Sequence, residues 1–300
     1  MTQGQSSAIL TQPMSWIILS LLAGLGDALR DAFSKKAAPT THGALVTWSY
    51  SVCALPFFLP NLLLNIPESV PLACWSYLLF NASCHVFGGI MLVRALHLSD
   101  LSLCVPMAAF TPVFLLVVGP LLTGDIPSTG GVIGASLVTL GSYVLNLSQS
   151  KRGFLAPFKA LFEQQGTRIM LGLSLLWSIT ASVDRVAVKQ VELSFWASAQ
   201  LCAIAILLIP ILIRKRAFAK PVEKRSLLLL GSIGCFNALS LGGYLLALTV
   251  APVHYVVCLK RCSILFSVAL GRALFNERFV SSRLPGAMIM LAGVIILSLW

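Results

Sequence analysis

The sequence predicts an all-α integral membrane protein with ten transmembrane helices, arranged as two inverted five-helix repeats. Three observations lead to this fold class. Hydrophobic residues make up 57% of the chain and charged residues only 10%, a composition that a soluble domain does not have. Apolar runs that are long enough to cross a bilayer of about 30 Å recur along the whole chain. The two halves of the sequence also match each other.

The apolar runs lie at ten places, each with roughly the 18–25 residues that a helix needs to cross a bilayer. We expect spans 1 to 10 near residues 14–35, 43–64, 72–96, 100–122, 129–147, 167–188, 194–213, 226–249, 252–275 and 282–299. Runs of this length favour helices over barrel strands, which are shorter and alternate in polarity. Pro106 and Pro112 lie inside span 4, and each is expected to bend or open the helix because proline lacks a backbone donor.

An internal repeat relates the two halves. Residues 95–147 align with residues 247–299 at a constant offset of 152, without a gap. The alignment matches three glycine pairs and one acidic pair: Gly119 with Gly271, Gly134 with Gly286, Gly141 with Gly293, and Asp125 with Glu277. Since each copy holds five spans, the second must enter the membrane in the opposite direction. The predicted units are residues 14–148 and 167–299, joined by a basic linker at 149–166.

The net charge of +11 reports membrane topology, because the basic residues lie in short loops between apolar spans. This placement argues against a nucleic-acid-binding surface. Loops after the odd-numbered spans hold nearly all the lysines and arginines, and the opposite side holds only Lys189. By the positive-inside rule the side that holds most of the basic residues is cytoplasmic, which places both termini outside. We expect a multi-pass protein of the cell (inner) membrane.

Sequence motifs for an enzyme or a metal site are missing. The eight cysteines are scattered through the predicted spans without a Cys-x-x-Cys pair, which favours buried apolar roles over metal or redox chemistry. Neither a nucleotide-binding loop nor a G-x-S-x-G nucleophile elbow occurs. The sequence therefore predicts no catalytic residues, no metal and no cofactor.

Ionisable side chains inside the predicted spans are the candidate site residues, because their burial in a bilayer is costly. The deepest are Lys260 and Arg261 in span 9. Neighbouring residues on a helix diverge by about 100°, so we expect at most one to point straight into a central cavity, and we favour Lys260. Alternatively, both are buried cations that helix carbonyls and the aspartates of span 1 satisfy.

Two related clusters of charged residues lie in spans 1 and 6. Asp27, Arg30 and Asp31 share one stripe of span 1, and pairing among themselves and with Lys35 would account for them without a substrate. The corresponding residues of span 6 include Asp184 and Arg185. At an offset of 153, Asp31 and Asp184 are equivalent, which suggests a gate or a charge-balancing role near the two-fold axis. Either aspartate could also bind a coupling proton if burial favours its neutral form.

Other polar and aromatic residues are weaker candidates. His85 in span 3 could bind protons or substrate, although a lone membrane histidine is more often a satisfied hydrogen-bonding residue. Trp177 and Tyr244 lie deep enough to line a cavity, but packing is the favoured role for both. Three other tryptophans lie near span ends and are interpreted as interfacial anchors: Trp48, Trp75 and Trp196.

Two long segments carry a family resemblance. The run PMAAFTPVFLLVVGPLLTGDIPSTGGVIGASLVTLGSYVL and its partner YVVCLKRCSILFSVALGRALFNERFVSSRLPGAMIMLAGVIIL resemble the two halves of an EamA-type member of the drug/metabolite transporter superfamily. Asp125 and Glu277, with the glycines that follow, stand where that family has its Gly-Glu and Gly-x-x-x-x-x-x-Gly patterns, although the first half has Asp instead of Glu.

The resemblance implies ten helices in two inverted repeats around a central cavity. Spans 1, 3, 4, 6, 8 and 9 would line this cavity, and spans 5 and 10 would be peripheral. Several eukaryotic relatives are drawn with cytosolic termini, which conflicts with the charge count and leaves the orientation open.

The leading functional hypothesis is secondary active transport of a small polar metabolite by alternating access. A slight preference for an anion follows from Lys260 or Arg261 holding the negative group. The expected partners are a small-molecule substrate, the lipid bilayer, and protons or a counter-substrate, with no nucleic acid and with a homodimer left open. An alternative is proton-coupled export of amino acids or cationic drugs, with Asp27, Asp31 or Asp184 as counter-ions. A remote alternative is a membrane-embedded enzyme or a scaffold subunit.

Overall fold

The computed structural model describes residues 15–67, 69–99, 105–147, 154–219, 223–275 and 284–299. These ranges contain helices and no strands. The α-helices are α1 (Ser15–Ala37), α2 (Gly43–Val52), α3 (Leu55–Leu64), α4 (Leu72–Leu98), α5 (Thr111–Thr123), α6 (Thr129–Leu147), α7 (Ala156–Glu163), α8 (Gln165–Val188), α9 (Leu193–Arg214), α10 (Lys224–Val250), α11 (Val253–Lys260), α12 (Ser263–Phe275) and α13 (Leu284–Leu299). A 3₁₀ helix, Val105–Phe110, precedes α5.

Seven helical segments of the described ranges are long and apolar enough to cross a membrane. They are Gly43–Leu64, Leu72–Leu98, Pro106–Thr123, Gln165–Val188, Leu193–Arg214, Lys224–Val250 and Val253–Gly271, which lie at predicted spans 2, 3, 4, 6, 7, 8 and 9. Helices α1, α6 and α13 lie at the other three predicted spans. Of these, α1 carries five charged residues and α13 has only 16 residues. The protein is thus a multi-pass, all-helical membrane protein, whereas a total of ten spans stays a prediction.

Predicted spans 4 and 9 are interrupted at equivalent points. Helices α5 and α12 begin at Thr111 and Ser263, which are related by the repeat offset of 152. In span 4 the interruption is the 3₁₀ helix that contains Pro106, so the expectation of an opened helix is confirmed there. Span 9 has no proline at its interruption. There, tight turns replace the helix, and the Cys262 amide donates to the Leu259 carbonyl (2.9 Å).

The helices of the two halves pack reciprocally. From the first half, α1 packs against α10 and α12 of the second half. From the second half, α8 packs against α4 and α5 of the first. Two copies of one unit that are related by a two-fold axis produce this reciprocal packing. It places α1 and α8 at the centre of the molecule.

Helices α6 and α13 pack closely against each other through glycines. A Cβ atom at Gly141 would lie 2.5 Å from the backbone nitrogen of Met290, and one at Gly293 would lie 2.7 Å from that of Val138. Small residues permit such close approach of two membrane helices. The pair therefore forms a separate contact between the halves, beside the central helices.

Candidate functional site

A cavity of about 360 Å³ lies between the two halves. Its lining residues are Asp27, Arg30, His85, Thr111, Trp177, Thr180, Ala181, Asp184, Tyr244, Val257, Lys260, Arg261 and Ser263. They belong to α1, α4, α5, α8, α10, α11 and α12 and to the turn after α11. These elements correspond to predicted spans 1, 3, 4, 6, 8 and 9, the set that the family resemblance implies, and α6 and α13 contribute no lining residue.

Eight of the ten predicted site residues line this cavity: Lys260, Arg261, Asp27, Arg30, Asp184, His85, Tyr244 and Trp177. The other two, Asp31 and Arg185, do not. The Asp31 side chain is 58% exposed and its carboxylate pairs with Arg30 (2.8 Å). The Arg185 side chain is buried and reaches towards the loop between α5 and α6. The structure therefore brings most of the candidates together at one place.

Both Lys260 and Arg261 line the cavity, and each contacts a neighbouring helix, Lys260 through Asp27 of α1 and Arg261 through Thr111 of α5. That only one of them points straight into the cavity stays a prediction. Helix α11 ends at Lys260, and α12 begins only at Ser263. The rotation of about 100° per residue holds for a continuous helix and does not apply across this turn. Helix α1 approaches the turn closely, since a Cβ atom at Gly24 would lie 3.0 Å from the Lys260 carbonyl oxygen.

Asp27 is the centre of an ion-pair cluster on one wall of the cavity. Its carboxylate lies 3.2 Å from Lys260 Nζ and 2.9 Å from Arg30 Nη1, and it accepts a hydrogen bond from the Ser240 hydroxyl (2.6 Å). Arg30 also pairs with Asp31. The positive charge of Lys260 is therefore offset by an aspartate of span 1, which is the structural alternative that the sequence left open for this lysine.

Arg261 has a different environment. Its Nη2 donates to the Thr111 hydroxyl at 2.7 Å, while its Nε is buried without a hydrogen-bond partner in the described ranges. Thr111 in turn donates to the Ala108 carbonyl (3.1 Å). Among the residues that the structure describes, no carboxylate lies within ion-pair distance of Arg261. Among the cations of the cavity, Arg261 is therefore the one that has no direct ion pair within the described ranges.

Asp184 is buried, with 4% exposure, and is surrounded by neutral donors. Its Oδ1 accepts hydrogen bonds from Asn81 Nδ2 (2.7 Å), Trp196 Nε1 (3.0 Å) and Gln200 Nε2 (3.2 Å). Its Oδ2 accepts one from the Tyr244 hydroxyl (3.2 Å). Within the described part of the chain no cation pairs with this carboxylate. Four hydrogen bonds from three helices, α4, α9 and α10, thus hold it at the cavity wall.

Trp196 does not act as an interfacial anchor, and that prediction is wrong. Its side chain is completely buried (0% exposed), and its indole N–H donates to Asp184. The residue lies near the start of α9, and this helix packs against α4 and, more sparsely, against α8 and α10. Trp196 is therefore part of the support of the site.

Sequence reasoning also missed the neutral residues of the site, including Asn81, Thr111, Thr180, Gln200, Ser240 and Ser263. The internal repeat held a signal for some of them. At an offset of 153, Thr180 is equivalent to Asp27, and at an offset of 152, Ser263 is equivalent to Thr111. All four of these residues line the cavity.

An ion-pair network ties the two halves together beyond one end of the cavity. Arg185 Nε donates to Asp125 Oδ2 (3.0 Å), and Lys189 Nζ lies 3.6 Å from Asp125 Oδ1. Arg185 also donates to the Leu248 carbonyl at the end of α10. Partial burial would raise the pKa of Asp125, but the hydrogen bond and charge of Arg185, together with Lys189, lower it below the ordinary value of 3.8. Asp125 is therefore ionised at neutral pH.

The described ranges show no arrangement of three or more His, Cys, Asp or Glu side chains that could hold a metal ion. Cys258 and Cys262, which lie on either side of the Lys260–Arg261 turn, are buried and free. The charged groups of the cavity are those of the Asp27 cluster, Arg261 and Asp184, and His85, Thr180 and Ser263 add further polar side chains.

Comparison with known proteins gives a family and a fold. The EamA-like transporter family matches residues 14–147 and again residues 165–299. A solved crystal structure, whose description names no function, is similar over 96% of this chain and 98% of its own, with a TM-score of 0.75 and 14% identity. That identity shows the fold alone. No curated protein sequence matches the chain. Because the family matches both halves, this chain belongs to the EamA-like transporter family of the drug/metabolite transporter superfamily.

Proposed function

We propose that this protein is a secondary active transporter of the cell (inner) membrane, which moves a small polar metabolite by alternating access and prefers an anionic substrate. Its family supports transport. The observation that carries the anionic preference is Arg261, which lines the cavity without a carboxylate partner among the described residues. A charge in the cavity without a direct ion-pair partner is costly, and an anionic group of the substrate would offset that cost. Lys260, paired with Asp27, takes the secondary role.

The walls of the cavity offer further support for an anion. Thr111 and Ser263 are the first residues of α5 and α12, and both line the cavity. The hydroxyl of Ser263 can donate a hydrogen bond to a negative ligand. The volume of about 360 Å³ falls within the range of small-molecule sites, roughly 300–1,000 Å³. A metabolite held between equivalent positions of two repeats suits a mechanism in which the halves rock.

Alternating access requires that contacts between the halves break in turn. Asp125 belongs to the first half, whereas Arg185 and Lys189 belong to the second. Their ion pairs lie at the end of the cavity where α8 and α10 finish. We assign this network the role of a gate that holds that end closed until the halves move apart.

If this network is a gate, hydrogen exchange of the amides in loop 124–128 should respond to its loss. Asp125→Asn is expected to speed hydrogen exchange of the loop amides by about tenfold, because a charged hydrogen bond contributes about 1.5–3 kcal/mol and 1.4 kcal/mol corresponds to tenfold. Hydrogen exchange with mass spectrometry on purified protein measures this. Lys189→Gln is the matched control, since that ammonium group is 44% exposed and should contribute little. Unchanged loop exchange in Asp125→Asn would show that the ion pair is no gate.

A second candidate function is export of amino acids or cationic drugs. Asp184 favours it, because this cavity carboxylate has only neutral partners in the described ranges. A substrate ammonium group would then occupy the space beside Oδ2. Lys260 argues against this substrate class, since its Nζ lies 4.7 Å from the centre of the Tyr244 ring, and the hydroxyl of that residue donates to Asp184.

Transport in liposomes decides between the two candidates. Purified protein is reconstituted, and initial uptake and exchange are measured for phosphorylated metabolites, carboxylates, amino acids and cationic drugs, with protein-free liposomes as the control. We expect saturable flux of one anionic class, inhibited by other members of that class. Flux of amino acids or cations alone would support the second candidate. Absence of flux across the whole panel would contradict transport and leave an embedded enzyme or a scaffold subunit.

A further inference from the structure

We propose that Oδ2 of Asp184 is a proton-binding site that couples substrate movement to a proton gradient; this inference rests on the proposed transport function. Asp184 lines the same cavity as Arg261, and its side chain is enclosed by α4, α9 and α10. A proton would bind from water on one side of the membrane and be released to water on the other side. The conformational change that carries it would be the one that moves the substrate.

The two carboxylate oxygens of Asp184 differ in a way that selects Oδ2. Three nitrogen donors, on Asn81, Trp196 and Gln200, occupy Oδ1. An indole N–H can only donate, so it opposes a proton on that oxygen. Oδ2 has the Tyr244 hydroxyl as its partner, at 3.2 Å. A proton is therefore accommodated at Oδ2 and not at Oδ1.

The Tyr244 hydroxyl makes both protonation states of Asp184 acceptable. A phenolic hydroxyl can donate or accept a hydrogen bond. When Oδ2 is ionised, Tyr244 donates to it, as in the structure. When Oδ2 carries a proton, the carboxyl group can donate to the Tyr244 oxygen after the hydroxyl hydrogen turns away. The exchange needs no heavy atom to move, so Asp184 and Tyr244 can stay hydrogen-bonded to each other in both protonation states.

The groups around Asp184 do not fix its charge by a direct ion pair. On the elements that pack against α8, the titratable and charged side chains that face the cavity are His85 on α4, Tyr244 on α10, Lys260 on α11 and Arg261 on the following turn. Helix α9 supplies the neutral donors Trp196 and Gln200, and α5 supplies Thr111. The neighbouring Arg185 is directed to Asp125 instead. Proton binding at Asp184 can therefore change the net charge of the cavity.

Charge balance links the proton to an anionic substrate. The cations Arg30, Lys260 and Arg261 equal in number the carboxylates Asp27, Asp31 and Asp184, when the lining residues and the direct partner of Arg30 are counted together. An anion that binds at Arg261 adds one negative charge to this balanced set. Protonation of Asp184 removes one. Because net charge is costly in a low-dielectric site, we expect one proton to accompany each negative charge of the substrate.

The experiment measures proton and substrate movement in the same liposomes. A pH-sensitive dye is trapped inside, and the substrate is the anion that the wild-type protein transports best. An inward substrate gradient is expected to acidify the lumen with wild type. In Asp184→Asn we expect loss of this acidification, whereas exchange of labelled for unlabelled substrate persists because exchange needs no net proton movement. Glu163→Gln, at an exposed carboxylate on α7, serves as the matched control and should acidify like wild type.

The outcomes separate the inference from the proposed function. Wild-type substrate flux without acidification would overturn proton coupling and leave the transporter intact. Undiminished acidification in Asp184→Asn would overturn the assignment to this carboxylate. If Asp184→Asn does not fold, Tyr244→Phe tests the same site. It keeps the aromatic ring beside Lys260 and removes the hydroxyl that can both donate and accept a hydrogen bond. We expect that variant to shift the pH dependence of uptake, and an unshifted profile would contradict the inference. Absence of any wild-type flux would refute both.

Discussion

Replacing Arg261 with glutamine is expected to lower the flux of an anionic substrate by about 10- to 100-fold, because a hydrogen bond to a charged group contributes about 1.5–3 kcal/mol and 1.4 kcal/mol corresponds to tenfold. The guanidinium is held by the Thr111 hydroxyl at 2.7 Å, and its Nε has no hydrogen-bond partner in the described ranges. Glutamine keeps an N–H donor but loses the positive charge. Initial uptake measured over a range of substrate concentrations gives the effect on both binding and turnover.

Two further variants test whether the charge or the shape of Arg261 matters. Arg261→Lys retains the positive charge but loses the planar fork, so we expect a flux between those of wild type and Arg261→Gln. Arg214→Gln is the matched control, because it removes an exposed arginine at the end of α9, away from the cavity lining. Equal flux of anionic substrate in wild type and Arg261→Gln would contradict the assignment.

Lys260→Met provides the comparison that ranks the two cations. Lys260 already pairs with Asp27 at 3.2 Å, so its charge is less available to a substrate than that of Arg261. We therefore expect a smaller loss of anion affinity from Lys260→Met than from Arg261→Gln. This ranking reverses the one that the sequence favours. Sequence position places both residues equally deep, and their contacts distinguish them, Lys260 with Asp27 of α1 and Arg261 with Thr111 of α5.

The positions of the helices follow closely from the sequence, since the bilayer requires long apolar segments and the charged loops separate them. The internal repeat likewise predicted two related units, and the family matches both halves. The interruption of span 9 was not predicted, because its residues include no proline at that point. It is instead a tertiary feature, in which Gly24 of α1 lets the two backbones approach closely.

Most of the charged residues of the cavity were also predictable, because the cost of burying charge in a membrane makes each of them a candidate. Their neutral partners were not predictable in the same way. Asn81 and Ser240 belong to residue types that membrane helices commonly tolerate, and their roles depend on which helix faces pack together. The pairing of Asp125 with Arg185 joins residues from different halves, which a search within each cluster does not reveal.

Asp27→Asn is expected to destabilise the protein more than loss of any other carboxylate of the first helix. The change leaves Lys260 without its ion-pair partner and removes one of the two carboxylates that bind Arg30. Breaking a buried pair costs about 3–5 kcal/mol, and the partial exposure here reduces the expected loss to about 2–3 kcal/mol. Thermal unfolding of the detergent-solubilised protein should show a midpoint lower by about 5–10 °C. Asp31→Asn is the matched control, since its side chain is 58% exposed and shares the same arginine.

The double variant Asp27→Asn, Lys260→Met separates a structural role of this pair from a role in substrate binding. Removal of both charges leaves no unpaired lysine, so we expect the midpoint to recover towards that of wild type, with a favourable coupling energy in the double-mutant cycle. If Lys260 serves only to balance Asp27, transport should recover together with stability. Recovery of the unfolding midpoint without recovery of anion flux would instead show that Lys260 contacts the substrate. Failure of both to recover would show that Asp27 has a role of its own, through Ser240 and Arg30, in joining α1 to α10.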